Sequence, residues 1–228
     1  MIISPYYRFV FIAVPKTGTT SIEQALNTIL VEKSPNRFYS KITTSRSYQF
    51  CYRNLSRFSI PLPAPSFLPV SFKHEAVTSL KTIRPLHIQY YKTFAFVRNP
   101  WARLVSQYKQ FQRPHFLHNE KRRKLHEASL KSFEAFVLQY REDPRPMWKF
   151  LTDELGELSI DHIGRFETLE SDFTHICQQL SLPAIKLDHL NPTQGNAKKY
   201  QDYYSPQLLD QITPILAKDA ELFGYSFD

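Results

Sequence analysis

Pro15-Lys16-Thr17-Gly18-Thr19-Thr20 directly follows the apolar run from Arg8 to Val14 and directly precedes the helix-like Ser21-Ile-Glu-Gln-Ala-Leu26. A strand that feeds a short Gly/Thr loop and then a helix leaves backbone N–H groups open at the loop mouth, where the helix dipole favours an anion. Lys16 adds a mobile cation, Gly18 allows close backbone approach, and the Thr17, Thr19 and Thr20 hydroxyls supply further donors. The chemistry of such a set is phosphate binding. In the nucleotide-triphosphate loop, G-x-x-x-x-G-K-[ST], Lys follows the second Gly; here Lys16 lies two residues before Gly18, and no Gly precedes it. The loop therefore reads as a phosphate cradle other than that of an ATPase, against the alternative of an ordinary strand-to-helix turn with a threonine cap.

A second segment has the same logic. Lys92-Thr-Phe-Ala-Phe-Val97 predicts a buried strand, Arg98 stands at its end, Asn99 is suited to cap a helix, and Pro100 suits the first helical position. On the helix that follows, Asn99, Arg103 and Ser106 share one face close to Arg98. Arginine supplies a bidentate fork and serine a compact hydroxyl, a pair fitted to a second phosphate. The alternative is an arginine closing a strand and a serine facing solvent.

Together these motifs resemble the sulfotransferases that use 3′-phosphoadenosine 5′-phosphosulfate (PAPS). Pro15–Thr20 is similar to the family's 5′-phosphosulfate loop, and Arg98-Asn-Pro-Trp-Ala-Arg-Leu-Val-Ser106 to its 3′-phosphate motif, with the Arg-to-Ser interval of eight residues intact. Phe94-Ala-Phe-Val-Arg-Asn-Pro100, the stretch His162–Phe173 and the ending Asp219–Tyr225 resemble the carbohydrate-type branch. The resemblance implies that Pro15, Lys16, Thr17, Gly18, Thr19, Thr20 and Ser21 hold the phosphosulfate, and that Arg98 and Ser106 hold the 3′-phosphate. Lys198 and Lys199 resemble a loop that closes over that phosphate, and Arg165 and Glu167 either support the cofactor side or form a structural ion pair.

The reaction so implied is transfer of a sulfuryl group to a hydroxyl of a carbohydrate or other acceptor, leaving adenosine 3′,5′-bisphosphate (PAP). It needs a base for the acceptor proton and a cation for the charge growing on the leaving oxygen. His74, in Lys73-His74-Glu75 at the end of a predicted strand, resembles the family's base, with Glu75 as substitute; Lys16 is the cation. No metal is implied. His115, His118 and His126 fit no standard ligand spacing, and Cys51 and Cys177 read as reduced thiols.

These residues need elements to carry them. Strand Arg8–Val14, helix Thr20–Val31, strand Pro69–His74, helix Ala76–Ile83, strand Thr93–Arg98 and helix Pro100–Gln112 alternate, followed by helix Lys131–Arg141, strand Ser159–Phe166 and helices Leu169–Leu180 and Ser205–Phe223. Such alternation predicts an α/β fold in which helices flank a central parallel sheet. The ligand then belongs at the carboxyl ends of the strands, where the loop, His74 and Arg98 all fall. The resemblance makes this the fold of the phosphate-loop NTPases in its sulfotransferase form, with all 228 residues in one domain.

A net charge of +8 points to polyanionic partners or to a generally basic surface. From Lys33 to His74 there is no acidic residue, and Arg46, Arg53, Arg57 and Lys73 are interleaved with aromatics; residues 34–68 read as a basic insertion that binds an acidic acceptor, or as a solvated loop. Residues 110–130, with Lys121-Arg-Arg-Lys124, read as a substrate lid or a solvated loop. No apolar run reaches the roughly 20 residues that span a bilayer, and no export signal is visible. Golgi members of the resembled family carry an anchor before the catalytic domain, whereas the first predicted strand here starts within ten residues of Met1. This implies a bacterial-type cytoplasmic enzyme, with a trimmed lumenal domain as the alternative. Two competing functions stay open: a phosphate-loop kinase, which lacks its Gly-Lys-Ser/Thr ending and Mg²⁺-holding Asp, and a non-catalytic module for acidic glycan or nucleic acid.

Overall fold

A computed structural model describes residues 1–32, 70–71, 76–78, 90–113, 119–187 and 198–228. Two compact units are present: Met1–Val97 with Lys149–Asn191, and Arg98–Trp148 with Pro192–Asp228.

The first unit is built on a sheet. Strands β1 (Ile2–Ser4), β2 (Phe9–Ile12), β3 (Val70–Ser71), β4 (Lys92–Val97) and β5 (His162–Arg165) lie in the order β3-β1-β2-β4-β5. β2, β4 and β5 are parallel, with Phe11 opposite Phe94 and Phe94 opposite His162. β2 and all of β4 after Lys92 are buried, as expected of parallel strands covered on both faces. The parallel centre is as the alternation predicts. β1 is an addition: it pairs antiparallel with β2 (Ile2 opposite Phe11) and with β3. Three apolar residues before a Tyr-rich turn carry too little periodicity to mark it in the sequence.

Helix α1 (Thr19–Glu32) packs Ile22, Ala25, Leu26 and Ile29 against Phe9, Phe11, Phe94 and Phe96, and Phe173 and Ile176 of a later helix join the same core. Phe11 stacks on Phe94 with ring centroids 5.1 Å apart. A Cβ on Gly164 of β5 would run into the Phe96 ring, so the sheet needs glycine there for space.

At the amino end of β4, Asp161 ties β4 to β5. Its carboxylate accepts the Thr93 N–H (2.8 Å), the Thr93 hydroxyl (2.8 Å) and the Lys92 ammonium (2.9 Å). Burial works to raise the Asp161 pKa, but these donors outweigh it and hold the carboxyl below its usual range.

The second unit is helical. α2 (Pro100–Phe111), α3 (Glu120–Lys131) and α4 (Phe133–Tyr140) are followed in chain order by the short α5 (Trp148–Leu151), whose first residue ends this unit's segment, by α6 (Leu169–Gln179) of the first unit, and by α7 (Pro206–Phe223). Trp101, Leu104, Phe133, Phe136, Leu208, Ile212 and Leu216 make the second core. α3 corrects the solvated-loop alternative for this part of residues 110–130: Glu120–Lys131 is a helix capped by Asn119. The Asn119 carboxamide accepts the Arg122 N–H, and Glu120–Lys124 and Arg123–Glu127 pair one turn apart. The charge run there follows helical spacing, which its density conceals.

Among the described residues no helix is long and apolar enough to cross a membrane.

Candidate active site

Two candidate anion-binding elements are present, one in each unit. In the first unit, Ile12 pairs with Ala95, so the loop after β2 leaves the sheet from the same edge at which β4 ends. Along that loop Lys16 has φ 71° and Gly18 φ 82°, while helix α1 starts at Thr19. Left-handed residues alternating with others turn successive N–H groups toward one concave face, a nest for an anion. The Ile22 N–H donates to the Gly18 carbonyl at 3.2 Å, so Gly18 is the helix cap. The N–H groups of Thr19, Thr20 and Ser21 then have no acceptor within the helix.

Gly18 is constrained twice. Besides its positive φ, a Cβ there would sit 2.9 Å from Leu169 Cδ2 and 3.4 Å from the Phe166 ring. Its second role, packing on the 3₁₀ turn Phe166–Thr168 and on α6, is invisible to a local reading of the loop. Thr17 also differs from expectation. It is fully buried and its hydroxyl donates to the Val14 carbonyl at 2.9 Å, so its proton braces the loop. Thr19 and Ser21 are half-buried and Thr20 is exposed, which leaves their hydroxyls at the surface of the cradle. Arg165 and Glu167 are exposed; the Arg165 N–H donates to Asp172 Oδ2 at 2.7 Å, which fixes the start of the turn that covers Gly18.

In the second unit Arg98 is half-buried and Asn99 buried. Asn99 Oδ1 accepts the N–H groups of Trp101 and Ala102, both at 3.1 Å. Its Nδ2 donates to the Ser226 carbonyl at 2.8 Å and to the Tyr200 hydroxyl at 3.3 Å. The predicted cap is therefore also the anchor of the C-terminal residues. The Arg98 N–H donates to Met147 Sδ at 3.4 Å. Ser106 is half-buried, two turns along the helix.

Arg103 departs from the sequence reading. It is 2% exposed and its guanidinium donates to the Arg145 carbonyl at 2.9 Å, so it serves the chain rather than the open face of Ser106. A cation that the sequence analysis does not single out is Lys109, one turn beyond Ser106. Lys109 Nζ lies 5.3 Å from the Tyr203 ring centre and Lys198 Nζ lies 4.8 Å from the same centre. Tyr203 thus collects two cations, one of them foreseen. The signal available was the i, i+3 step from Ser106. Lys199 is exposed and its N–H donates to Asp202 Oδ2 at 3.1 Å.

His74, Glu75 and Lys73, together with Arg46, Arg53, Arg57, Cys51, His115 and His118, lie outside the described residues. His126 Nδ1 meets the Phe111 carbonyl at 2.6 Å, tying α3 to the end of α2. Among the described residues no group of three or more His, Cys, Asp or Glu is placed to hold a metal. Cys177 is buried, and burial pushes its thiol up to about 11.

The model of the sulfotransferase family matches residues 1–226. A protein of unassigned function from Archaeoglobus fulgidus is 30% identical over 102 residues, which span 41% of this chain and 70% of that protein. The crystal structure of mouse sulfotransferase SULT7A1 complexed with PAP aligns at a TM-score of 0.47 and 15% identity, covering 96% of this chain and 88% of that one.

Proposed function

The chain belongs to the sulfotransferase family, and from that membership we propose that it is a single PAPS-dependent domain that sulfates a carbohydrate hydroxyl. The observation that carries the reading is the loop Pro15–Thr20: a cation and a glycine at positive φ, set between a buried strand and a helix start. Bound PAPS would supply an activated sulfuryl group on a phosphate leaving group.

The chain's own groups then divide the work. Lys16 and the N–H groups of Gly18, Thr19, Thr20 and Ser21 hold the 5′-phosphosulfate, and Lys16 lowers the energy of charge that builds on the bridging oxygen. Thr17 and Pro15 keep the loop in shape. Arg98 and Ser106 take the 3′-phosphate, and Lys198 and Lys199 add positive charge there. His74 accepts the acceptor hydroxyl's proton as that oxygen bonds to sulfur and the sulfur–bridging oxygen bond breaks, with Glu75 as its substitute. The basic residues Arg46, Arg53, Arg57 and Lys73 suit an acidic acceptor.

Calorimetric titration tests this directly. PAP binds without added metal and more tightly than 5′-AMP, whereas ATP with Mg²⁺ binds no better than ATP alone. Equal binding of PAP and AMP would remove the dedicated 3′-phosphate site, and tight Mg·ATP binding would favour a kinase. Replacement His74→Ala lowers kcat by about 10²–10⁴ while leaving PAP affinity near wild type; an unchanged kcat assigns the base to Glu75.

A further inference from the structure

Behind Arg98 lies a buried polar chain that none of the roles above uses. Asp219 of α7 is fully buried, and its two carboxylate oxygens accept consecutive backbone N–H groups, Met147 to Oδ2 and Trp148 to Oδ1, each at 2.8 Å. Arg103, itself buried, donates to the carbonyl of Arg145, whose own N–H donates to the Tyr140 hydroxyl at 3.1 Å. Residues 145–148 are thus held at four main-chain atoms by side chains from α2, α4 and α7. Lys218, beside Asp219 in sequence, lies 4.1 Å over the Trp148 ring. Toward the segment at Arg98 this clamp presents Met147, fully buried, whose sulfur accepts the Arg98 N–H.

A buried carboxylate is retained at a desolvation cost that apolar packing would avoid. Its geometry suggests what it is retained for. A bidentate acceptor fixes two successive amide planes at once, which an aliphatic residue or a single hydroxyl cannot do. The sulfur position follows from that fixed backbone, and the sulfur in turn orients the peptide that carries Arg98. An arginine that grips a phosphate through its planar fork is sensitive to the direction from which its stem leaves the chain.

We propose that Asp219 is a positioning residue for Arg98, acting through the backbone and thioether of Met147 to set how the 3′-phosphate is gripped. The inference rests on the reading of Arg98 as the 3′-phosphate residue. Asparagine at 219 keeps one acceptor oxygen but turns an NH₂ group toward the other amide, so it releases half of the clamp. Leucine at 147 keeps volume and removes the sulfur acceptor.

The test measures PAP and 5′-AMP affinity by calorimetry for the wild type, Asp219→Asn, Met147→Leu and Arg98→Ala. Asp219→Asn weakens PAP by about tenfold and leaves AMP within a small factor, as misdirection of a binding group does. Met147→Leu moves the PAP-to-AMP ratio the same way by a smaller factor. A general loss of packing would lower both nucleotides together, so equal loss, or no loss, in Asp219→Asn overturns the proposal. Should Asp219→Asn not fold, Met147→Leu decides, and an unchanged ratio there overturns it. Arg98→Ala separates the two levels of the argument. If it abolishes the preference for PAP while Asp219→Asn and Met147→Leu keep it, the positioning role alone falls; if Arg98→Ala itself keeps the preference, the reading of Arg98 falls and the inference with it.

Discussion

The two candidate anion-binding elements are made in opposite ways. The loop Pro15–Thr20 is shaped by its own backbone: the Thr17 hydroxyl reaches back three residues to Val14, the Ile22 N–H reaches back four to Gly18, and two positive φ angles do the rest. The start of α2 is shaped by distant residues. Asn99 bonds to Ser226 across 127 positions of sequence, and Met147, which meets Arg98, is held by Asp219 from 72 positions away. A cradle made of main chain is insensitive to most side-chain changes outside itself, whereas a cradle made of side-chain contacts fails wherever the network fails. The first should break chiefly through its own residues and the Leu169 contact under Gly18, and the second from afar.

Among changes to these two elements the largest effect expected is that of Lys16→Ala, which removes the loop's only cation. By comparison with the loss of a single charge-stabilising donor, kcat falls by about 10²–10³, with weaker PAP binding as well. A steady-state assay with any acceptor the wild type sulfates checks this. A variant that keeps kcat would show that backbone N–H groups alone carry the charge.

Asn99→Ala comes next, and its effect is on stability. It removes a cap with two accepted N–H groups and leaves Ser226 and Tyr200 short of a donor, for about 2 kcal/mol. At this chain length that lowers Tm by about 4–8 °C, measured by calorimetric melting. A loss confined to a few tenths of a degree would mean that α2 is held by its core alone.

Gly18→Ala should cost about 1–2 kcal/mol, from the left-handed backbone and the contact with Leu169 together. Pairing it with Leu169→Ala in a double-mutant cycle separates the two terms. Full additivity would leave the φ term as the whole cause.

The smallest effect belongs to Asp161, away from both elements. Its carboxyl is held below the usual range, so the clamp on Thr93 and Lys92 contributes stability above the unfolded value near 3.9 and loses it as pH falls through the lower folded value. Asp161→Asn should lower Tm at pH 7, and the gap from wild type should close toward pH 3. A gap that widens on acidification would reverse the sign of this assignment.

The same contrast explains what could be read without coordinates. The loop, β2, β4, α2 with its Asn99 cap, and α7 from Ser205 follow from patterns a few residues long, and the structure places them within a residue or two of expectation. α3 was concealed by its charge density, although Asn119 and the Glu120–Lys124 spacing are helix signals. Helical periodicity places Arg103 on one face with Asn99 and Ser106; only the Arg145 carbonyl, 42 positions away, reveals that this face is half core. Lys109 and Asp219 needed a ring and a main-chain segment brought from elsewhere in the chain.

Lys16 itself has a consequence for anyone engineering this protein. A lysine at φ 71° occupies a backbone region that glycine enters freely and that costs other residues about 1–2 kcal/mol. Selection for heat resistance alone would therefore favour Lys16→Gly, trading the cation for a relaxed loop. A library ranked by survival at high temperature would enrich folded, nucleotide-poor proteins at this position, so any stability campaign needs a binding selection run beside it.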